Sequence, residues 1–202
     1  MKTKPHVKNI AILASGNGSN AENLIRSLNT PDGTGVRVAV VISNRSDAPV
    51  LERARRLGVP CETVTKADLN TPGIMEKLLD RHSVEGIVLA GFLLMVPAYL
   101  IKRYEGRIIN IHPSLLPKYG GKGMYGIHIH RAVVANRESE TGITIHAVNE
   151  LCDEGDIIYQ ASIPVLPADT PEDVETKIHN LEKLHFPRIT AEYFSQSQEP
   201  LA

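Results

Sequence analysis

Short apolar runs alternate with amphipathic helical patterns through the first half of the chain, and this alternation constrains the fold more than any other feature. The runs from Ile10 to Ala14 and from Gly86 to Ala90 contain no polar side chain. Strands of this kind are buried on both faces, which is the property of a parallel sheet. Strict alternation of strand and helix predicts βαβ units with right-handed crossovers. The expected class is therefore α/β, a Rossmann-like and mostly parallel sheet with helices on both faces.

The first half of the chain supplies five predicted strands and four predicted helices. The strands are Asn9–Ala14, Val36–Ser43, Cys61–Val64, Gly86–Ala90 and Arg107–Ile111. The helices are Ala21–Leu28, Pro49–Leu57, Pro72–Arg81 and Pro97–Tyr104. Three of these helices begin with a proline, which is tolerated in the first turn because the missing N–H has no partner inside the helix there.

The pattern changes after Pro113. A loop at residues 119–126 carries four glycines and is expected to be mobile. The remaining elements are predicted to be a helix, an antiparallel pair of strands and a C-terminal helix that Pro187 ends or kinks, at Ile127–Arg137, Thr141–Val148, Asp156–Val165 and Pro171–Tyr193. We predict a single domain over residues 1–202, with one half at about 8–113 and the other at about 127–195.

Composition excludes several classes of protein. A formal net charge of -1 gives no reason to expect nucleic-acid or membrane binding, so small-molecule partners are expected. No apolar run reaches the roughly 18 to 20 residues of a transmembrane helix, and the N-terminus lacks the pattern of a signal peptide, so a cytoplasmic location is expected. The two cysteines, Cys61 and Cys152, are far apart, and no His, Cys or Asp cluster has the spacing of a metal site. The chain is therefore expected to use no metal.

A glycine-rich turn between the first strand and the first helix is a candidate phosphate site. It reads Ser-Gly-Asn-Gly-Ser-Asn from Ser15 to Asn20. Glycines allow close approach of the backbone, and a helix N-terminus offers free N–H groups and the positive end of a dipole. Gly18, Ser19 and Asn20 would then bind phosphate; alternatively, Ser19 or Asn20 only caps the helix.

Two further interpretations of this turn stay open. The residues also fit the loose G-x-G-x-x-A dinucleotide pattern, and Arg45 after the second strand could accept the 2′-phosphate of NADP. An NADP-dependent oxidoreductase is therefore one alternative. A nucleotide sensor without enzymatic activity is another, and it would make the polar residues described next incidental.

Asn110 and His112 provide the chemistry that the turn lacks. They are two residues apart at the end of a predicted strand, so their side chains point to the same side. An amide can hold a carbonyl oxygen, and an imidazole can move a proton near neutral pH. A carboxylate is needed to orient the histidine, and Asp153 is the best candidate, although Glu154 or Asp156 would serve as well. His146 alternates with apolar residues and is interpreted as either core or pocket lining.

At these residues the chain resembles the glycinamide ribonucleotide formyltransferases, the folate-dependent enzymes of purine synthesis. The resemblance covers Asn9 to about Tyr193, and four motifs carry it: Ser15–Asn20, Leu89–Phe92, Asn110–Lys118 and Asp153–Ile158. The Asn-x-His-Pro-Ser-Leu-Leu-Pro block marks a wider superfamily that includes methionyl-tRNA formyltransferase and formyltetrahydrofolate hydrolase. The short length and the Ser-Gly-x-Gly-Ser-Asn turn favour the ribonucleotide enzymes.

The resemblance implies a role for each group of residues. The catalytic residues would be Asn110, His112 and Asp153. The ribonucleotide would be bound by Gly18, Ser19, Asn20, His179 and Glu182. The co-substrate, 10-formyltetrahydrofolate, would be bound by the backbone of Leu93, Leu94, Met95 and Val96, by Asn110, and by the turn of Asn149, Glu150, Leu151, Cys152 and Asp153. The residues around 8–113 would then form the nucleotide-binding half and those around 127–195 the folate-side half.

The same resemblance implies a mechanism and leaves one enzymatic alternative. Asn110 and His112 would stabilise an oxyanion, Asp153 would favour the charged form of His112, and His112 or an ordered water would relay the proton. Formyltetrahydrofolate hydrolysis is the alternative within the superfamily. The chain departs from the family pattern at Leu94, where a basic residue is common, and at Lys183, where a histidine is common. The oligomeric state is not predicted.

Overall fold

The computed structural model describes residues 6–31 and 33–196, which form two compact units. The first unit extends to Ile108 and resumes at Pro187, and the second unit is the continuous segment Ile109–Phe186. The second unit is therefore an insertion between two parts of the first. The prediction of a single domain stays a prediction.

The described chain contains seven strands and seven helices. The strands are β1 (Lys8–Leu13), β2 (Val36–Ser43), β3 (Cys61–Thr63), β4 (Gly86–Leu89), β5 (Ile108–His112), β6 (Glu140–Ala147) and β7 (Ile157–Pro164). The helices are α1 (Ser19–Leu28), α2 (Pro49–Arg56), α3 (Lys66–Leu69), α4 (Pro72–Arg81), α5 (Ala98–Arg103), α6 (Ile127–Ala135) and α7 (Pro171–Gln196). The strand order of the sheet is β3-β2-β1-β4-β5-β6-β7.

The first unit is built on parallel pairs around β1. This strand pairs with β2 on one side and β4 on the other, and β2 pairs with β3, all in parallel. Ile10, Ile12 and Leu13 are completely buried, as the apolar run predicts. A late part of the chain completes this core, because the ring of Phe194 occupies the place that a Cβ atom on Gly86 would need. Both ends of the described chain thus contribute to one core.

The second unit is antiparallel. β6 pairs with β5 and with β7, and the register places Asn110 opposite His146 and His112 opposite Thr144. Ile143 and Ile145 of β6 are completely buried. The short turn between β6 and β7 includes Asp153, so the pairing of these strands determines where that carboxylate lies.

The predicted fold class is confirmed by this order and pairing, with a few differences in the helices. α3 was not predicted, because it is only four residues long; Thr65 and Asp68 form a capping box at its start. Pro97 is the N-cap of α5 rather than its first residue. Pro187 does not end α7, which continues to Gln196, so the prediction that it could end the helix is wrong.

Among the residues that the structure describes, no helix is long and apolar enough to cross a membrane.

Candidate active site

The paired strands β5 and β6 bring His146 of β6 next to β5, which carries Asn110 and His112, two of the three predicted catalytic residues. Asn110 lies opposite His146, and the Asn110 Nδ2 to His146 Nε2 distance is 3.0 Å. His146 Nδ1 lies 2.9 Å from the carbonyl oxygen of Ala147, so this nitrogen carries the proton. In the neutral ring Nε2 then accepts from the amide of Asn110. His146 thereby fixes which way this amide faces and leaves its second N–H for another acceptor.

His112, the last residue of β5, is held by the segment that follows it. Its Nε2 lies 2.8 Å from the carbonyl oxygen of Tyr119, so this nitrogen donates and carries a proton. Its Nδ1 lies 3.7 Å from Oδ2 of Asp153, beyond hydrogen-bond distance but within ion-pair distance. The ring is 4% exposed. A proton added to His112 would therefore be placed on Nδ1, next to the carboxylate.

Asp153 occupies a left-handed position in the β6–β7 turn, with a φ of 59°. Its Oδ2 accepts the backbone N–H of Gly121 at 2.9 Å, and its Oδ1 lies 3.7 Å from Nε2 of His146. The turn also depends on Gly155, because a Cβ atom there would lie 1.7 Å from the carbonyl oxygen of Ala147. Of the three carboxylates that the sequence left open, Asp153 is the one that faces His112.

Charges and burial set the ionisation of this group. Burial alone would raise the pKa of Asp153, but His146, the Gly121 N–H and His112 outweigh it and lower the pKa to about 2. Burial lowers the pKa of His112, although Asp153 and the Tyr119 carbonyl act in the opposite direction. Asp153 thus favours the charged form of His112, as predicted, but burial has the larger effect and the net pKa is lowered. The structure favours an ionised Asp153 beside a neutral His112.

The glycine-rich turn of the first unit has the geometry of a close backbone approach. Gly18 is the N-cap of α1, has a φ of 80°, and would place a Cβ atom 2.4 Å from the side chain of Val50. No side chain caps α1, so the alternative that Ser19 or Asn20 serves as the N-cap is wrong. Arg53 of α2 donates to Asn17 Oδ1 at 2.9 Å and also to the Glu22 carboxylate, and thus ties this turn to α2.

Comparisons with known proteins agree with this chemistry. The family model described as formyl transferase matches residues 8–190. The chain belongs to the formyl transferase family.

Two relatives of the chain are phosphoribosylglycinamide formyltransferases, and a third is a trifunctional purine biosynthetic protein. The phosphoribosylglycinamide formyltransferase of Escherichia coli is 35% identical over 185 residues, which cover 90% of this chain and 84% of that protein. The chloroplastic phosphoribosylglycinamide formyltransferase of Arabidopsis thaliana is 36% identical over 90% of this chain and 64% of that protein. A trifunctional purine biosynthetic protein of Drosophila pseudoobscura is 38% identical over 91% of this chain. The chain spans only 14% of the length of that trifunctional protein.

A solved structure extends the likeness to the fold. The glycinamide ribonucleotide transformylase 1 of Symbiobacterium toebii has a TM-score of 0.86 and 32% identity, over 99% of this chain and 94% of that chain. Thus the Rossmann-like fold is that of glycinamide ribonucleotide transformylases.

The two segments that the family resemblance assigns to folate differ in character. In the first unit, Leu93 and Met95 are exposed, Leu94 is half-buried and Val96 is buried. In the second unit, Asn149 shapes its own turn, because its Oδ1 accepts the N–H of Leu151 at 2.9 Å. The other residues of that turn are exposed or half-buried: Glu150, Leu151 and Cys152.

The two predicted ribonucleotide contacts on α7 lie one turn apart in the second unit. Glu182 is buried, with 7% exposure, and His179 is exposed. The pKa of His130 is lowered to about 4, first by burial and second by the charge of His179. The burial of Glu182 and the exposure of His179 do not test their predicted roles, which stay predictions.

Three residues were given no catalytic or binding role from sequence: His146 in the second unit, and Arg53 and Ser15 in the first. His146 could have been found, because aligning β5 and β6 as antiparallel partners places it opposite Asn110. Arg53 and Ser15 carried no such signal, since their partners lie on other elements of the first unit. Within the described residues, no group of three or more His, Cys, Asp or Glu side chains could hold a metal ion.

Proposed function

We propose that the chain transfers the formyl group of 10-formyltetrahydrofolate to the amine of glycinamide ribonucleotide, giving formylglycinamide ribonucleotide and tetrahydrofolate. The main observation in support of this proposal is the arrangement of Asn110, His112 and Asp153 in a member of the formyl transferase family. The similarity to the phosphoribosylglycinamide formyltransferases of Escherichia coli and Arabidopsis thaliana supports this choice of acceptor. The proposal includes a cytoplasmic location, no metal, and only small-molecule partners.

The residues assigned to each substrate are those that the family resemblance implies. The phosphate of the ribonucleotide would bind the N-terminus of α1 at Gly18, Ser19 and Asn20, where backbone N–H groups and the helix dipole favour an anion. His179 and Glu182 would contact the remainder of the ribonucleotide. Folate would bind the backbone of residues 93–96 and the turn of residues 149–153.

In the chemical step, the amine nitrogen would attack the formyl carbon and form a tetrahedral intermediate with a negative oxygen. The amide N–H of Asn110 that His146 leaves unused would donate to this oxygen. The carbon–nitrogen bond to N10 of the folate would then break, which transfers the formyl group. The attacking amine must lose one proton in this sequence, and N10 must gain one.

The state of His112 suits that proton transfer. A neutral ring with its proton on Nε2 has a free electron pair on Nδ1, which could accept the proton of the attacking amine directly or through a water. Asp153, 3.7 Å from Nδ1, would stabilise the imidazolium that forms. The same proton would then pass to N10. His112 would thus become cationic only during the reaction, when a positive charge also stabilises the oxyanion.

Formyl transfer by the purified protein tests this proposal. Release of the product folate from 10-formyl-5,8-dideazafolate is followed with and without glycinamide ribonucleotide. Turnover that requires the ribonucleotide is expected, and Asn110→Ala should lower kcat by roughly 10² to 10³ because one oxyanion donor is lost. Breakdown of the formyl folate without the ribonucleotide would instead indicate the hydrolase. Near wild-type turnover by a folded Asn110→Ala or His112→Ala protein would contradict the assigned roles.

A further inference from the structure

The hydroxyl of Ser15 joins three strand ends of the first unit. Ser15 lies two residues after the end of β1, next to the buried Ala14, and it is itself 2% exposed. Its Oγ donates to Oδ1 of Asn44, just after β2, at 2.6 Å. The same Oγ accepts the backbone N–H of Leu93, after β4, at 2.9 Å. One oxygen therefore acts as donor and acceptor at once, which a hydroxyl can do and a methyl or an ammonium group cannot.

The Leu93 contact fixes the start of a segment that is prepared for a ligand. Leu93 and Met95 expose 58% and 59% of their surface, although both side chains are large and apolar. Among the described residues, the backbone amides of Leu94, Met95 and Val96 have no hydrogen-bond acceptor. Apolar surface next to unused backbone donors suits a flat, partly polar ring system.

Ser15 also belongs to the glycine-rich turn. Its backbone N–H donates to the carbonyl oxygen of Gly91 at 3.0 Å, and Gly16 to Gly18 follow it directly. The segment from Gly91 to Leu93 is thus held by Ser15 through both its backbone and its side chain. The glycine-rich turn and the apolar segment both lie in the first unit, and Ser15 of the turn connects them by its hydrogen bonds to Gly91 and Leu93.

We infer that Ser15 is a positioning residue for the ring-bearing co-substrate: its hydroxyl holds the backbone of Leu93 so that residues 94–96 present their amides in a fixed arrangement. This inference rests on the proposed function, because that function supplies the folate. Removing the hydroxyl leaves the Leu93 N–H without its acceptor and frees the start of the segment. The co-substrate must then order the segment as it binds, and this cost weakens its binding.

Steady-state kinetics of Ser15→Ala test the inference, with Ser43→Ala as the matched control. Ser43 is completely buried at the end of β2, and its Oγ accepts a backbone N–H, that of Arg45, at 3.2 Å. The control thus also deletes a buried hydroxyl that holds a backbone N–H, but that N–H belongs to Arg45 and not to residues 91–96. We expect Ser15→Ala to raise the KM for 10-formyl-5,8-dideazafolate by about tenfold, with kcat within about twofold of wild type. Ser43→Ala should leave this KM unchanged.

Hydrogen exchange of the Leu93 amide gives a second readout that does not depend on catalysis. Faster exchange of this amide in Ser15→Ala, together with the raised KM, supports the inference. An unchanged KM in an active Ser15→Ala protein overturns it, and so does an equal rise in Ser43→Ala. If Ser15→Ala does not fold, Ser15→Cys decides: its sulfur is a weak acceptor for the Leu93 N–H, and an unchanged KM with unchanged Leu93 exchange overturns the inference. Absence of transfer by the wild-type protein would instead refute the proposed function.

Discussion

At the scale of single residues, the candidate site depends on how each polar group is oriented by a neighbour. His146 receives one N–H of Asn110, and the Tyr119 carbonyl receives the Nε2–H of His112. Neither neighbour is itself placed at the reacting atoms by the proposed mechanism. Such contacts matter because a donor that is free to rotate must be ordered during each turnover.

The first prediction concerns His146. His146→Ala removes the acceptor that orients the Asn110 amide, and we expect kcat to fall by about tenfold while the KM for the ribonucleotide changes little. Initial rates at saturating folate measure both constants. His82→Ala, which breaks an ion pair with Glu62 in the first unit, is the control and should retain wild-type kcat. An unchanged kcat in His146→Ala would show that the Asn110 amide does not need this contact.

The second prediction concerns pH. His112 has a pKa below its ordinary value of 6.5, so a neutral His112 that accepts a proton makes kcat/KM rise with pH through that lowered pKa and then level off. The Asp153 charge raises the pKa of His112, so Asp153→Asn should move this acidic limb to still lower pH while reducing the plateau. A limb that moves to higher pH in the variant would contradict the assignment of the limb to His112.

At the scale of elements, the turns carry the site and the strands decide where the turns lie. The β1–α1 turn needs a glycine at position 18, where φ is 80° and Val50 fills the space of a Cβ atom. The β6–β7 turn needs one at position 155, because the Ala147 carbonyl approaches closely. Both turns combine a close backbone approach with a residue predicted to bind or act on substrate.

The third prediction tests the first of these turns. Gly18→Ala forces a Cβ atom into Val50 at a positive φ, so we expect the KM for the ribonucleotide to rise by at least about tenfold as the turn shifts. Gly16→Ala is the matched control, since a Cβ atom there meets nothing within 4 Å. Steady-state kinetics at saturating folate separate the two. Equal effects of both substitutions would mean that the turn senses any added side chain rather than the clash with Val50.

The sequence predicted the elements better than the contacts between them. Apolar runs such as Ile10 to Ala14 identify buried strands, and the spacing of Asn110 and His112 places both on one side of β5. The contact of His146 with Asn110 depends on a register between strands, which no local pattern contains. Asp153 raises the pKa of His112, as the sequence analysis expects, but the larger lowering by burial depends on packing that no local pattern contains. The Ser15 contacts join three separate loops and had no local signal.

At the scale of the whole molecule, the half-buried carboxylate of Asp153 links the site to stability. Asp153 has a pKa of about 2 in the folded chain and an ordinary value of 3.8, so its ionised form stabilises the fold at every pH above 3.8. This contribution, about 2 kcal/mol, is lost as the pH falls from 3.8 through 2.

The fourth prediction follows from this linkage. Denaturant unfolding of wild type and Asp153→Asn, measured from pH 6 to pH 2, should show a difference in unfolding free energy that shrinks by about 2 kcal/mol toward the acid end. Asp47→Asn, a change at an exposed ion pair with Arg45, is the comparison and should show a smaller change with pH. A difference between wild type and Asp153→Asn that is constant with pH would mean that Asp153 ionises with an ordinary pKa.

The inserted position of the second unit has a consequence for synthesis. The first unit includes Phe194, whose ring packs at Gly86, so residues near both ends of the chain belong to the same core. A ribosome releases the 78 residues from Ile109 to Phe186 before it releases that phenylalanine. The second unit can therefore begin to fold during translation, whereas the first must wait, with part of its apolar surface uncovered, until Phe194 has been synthesised.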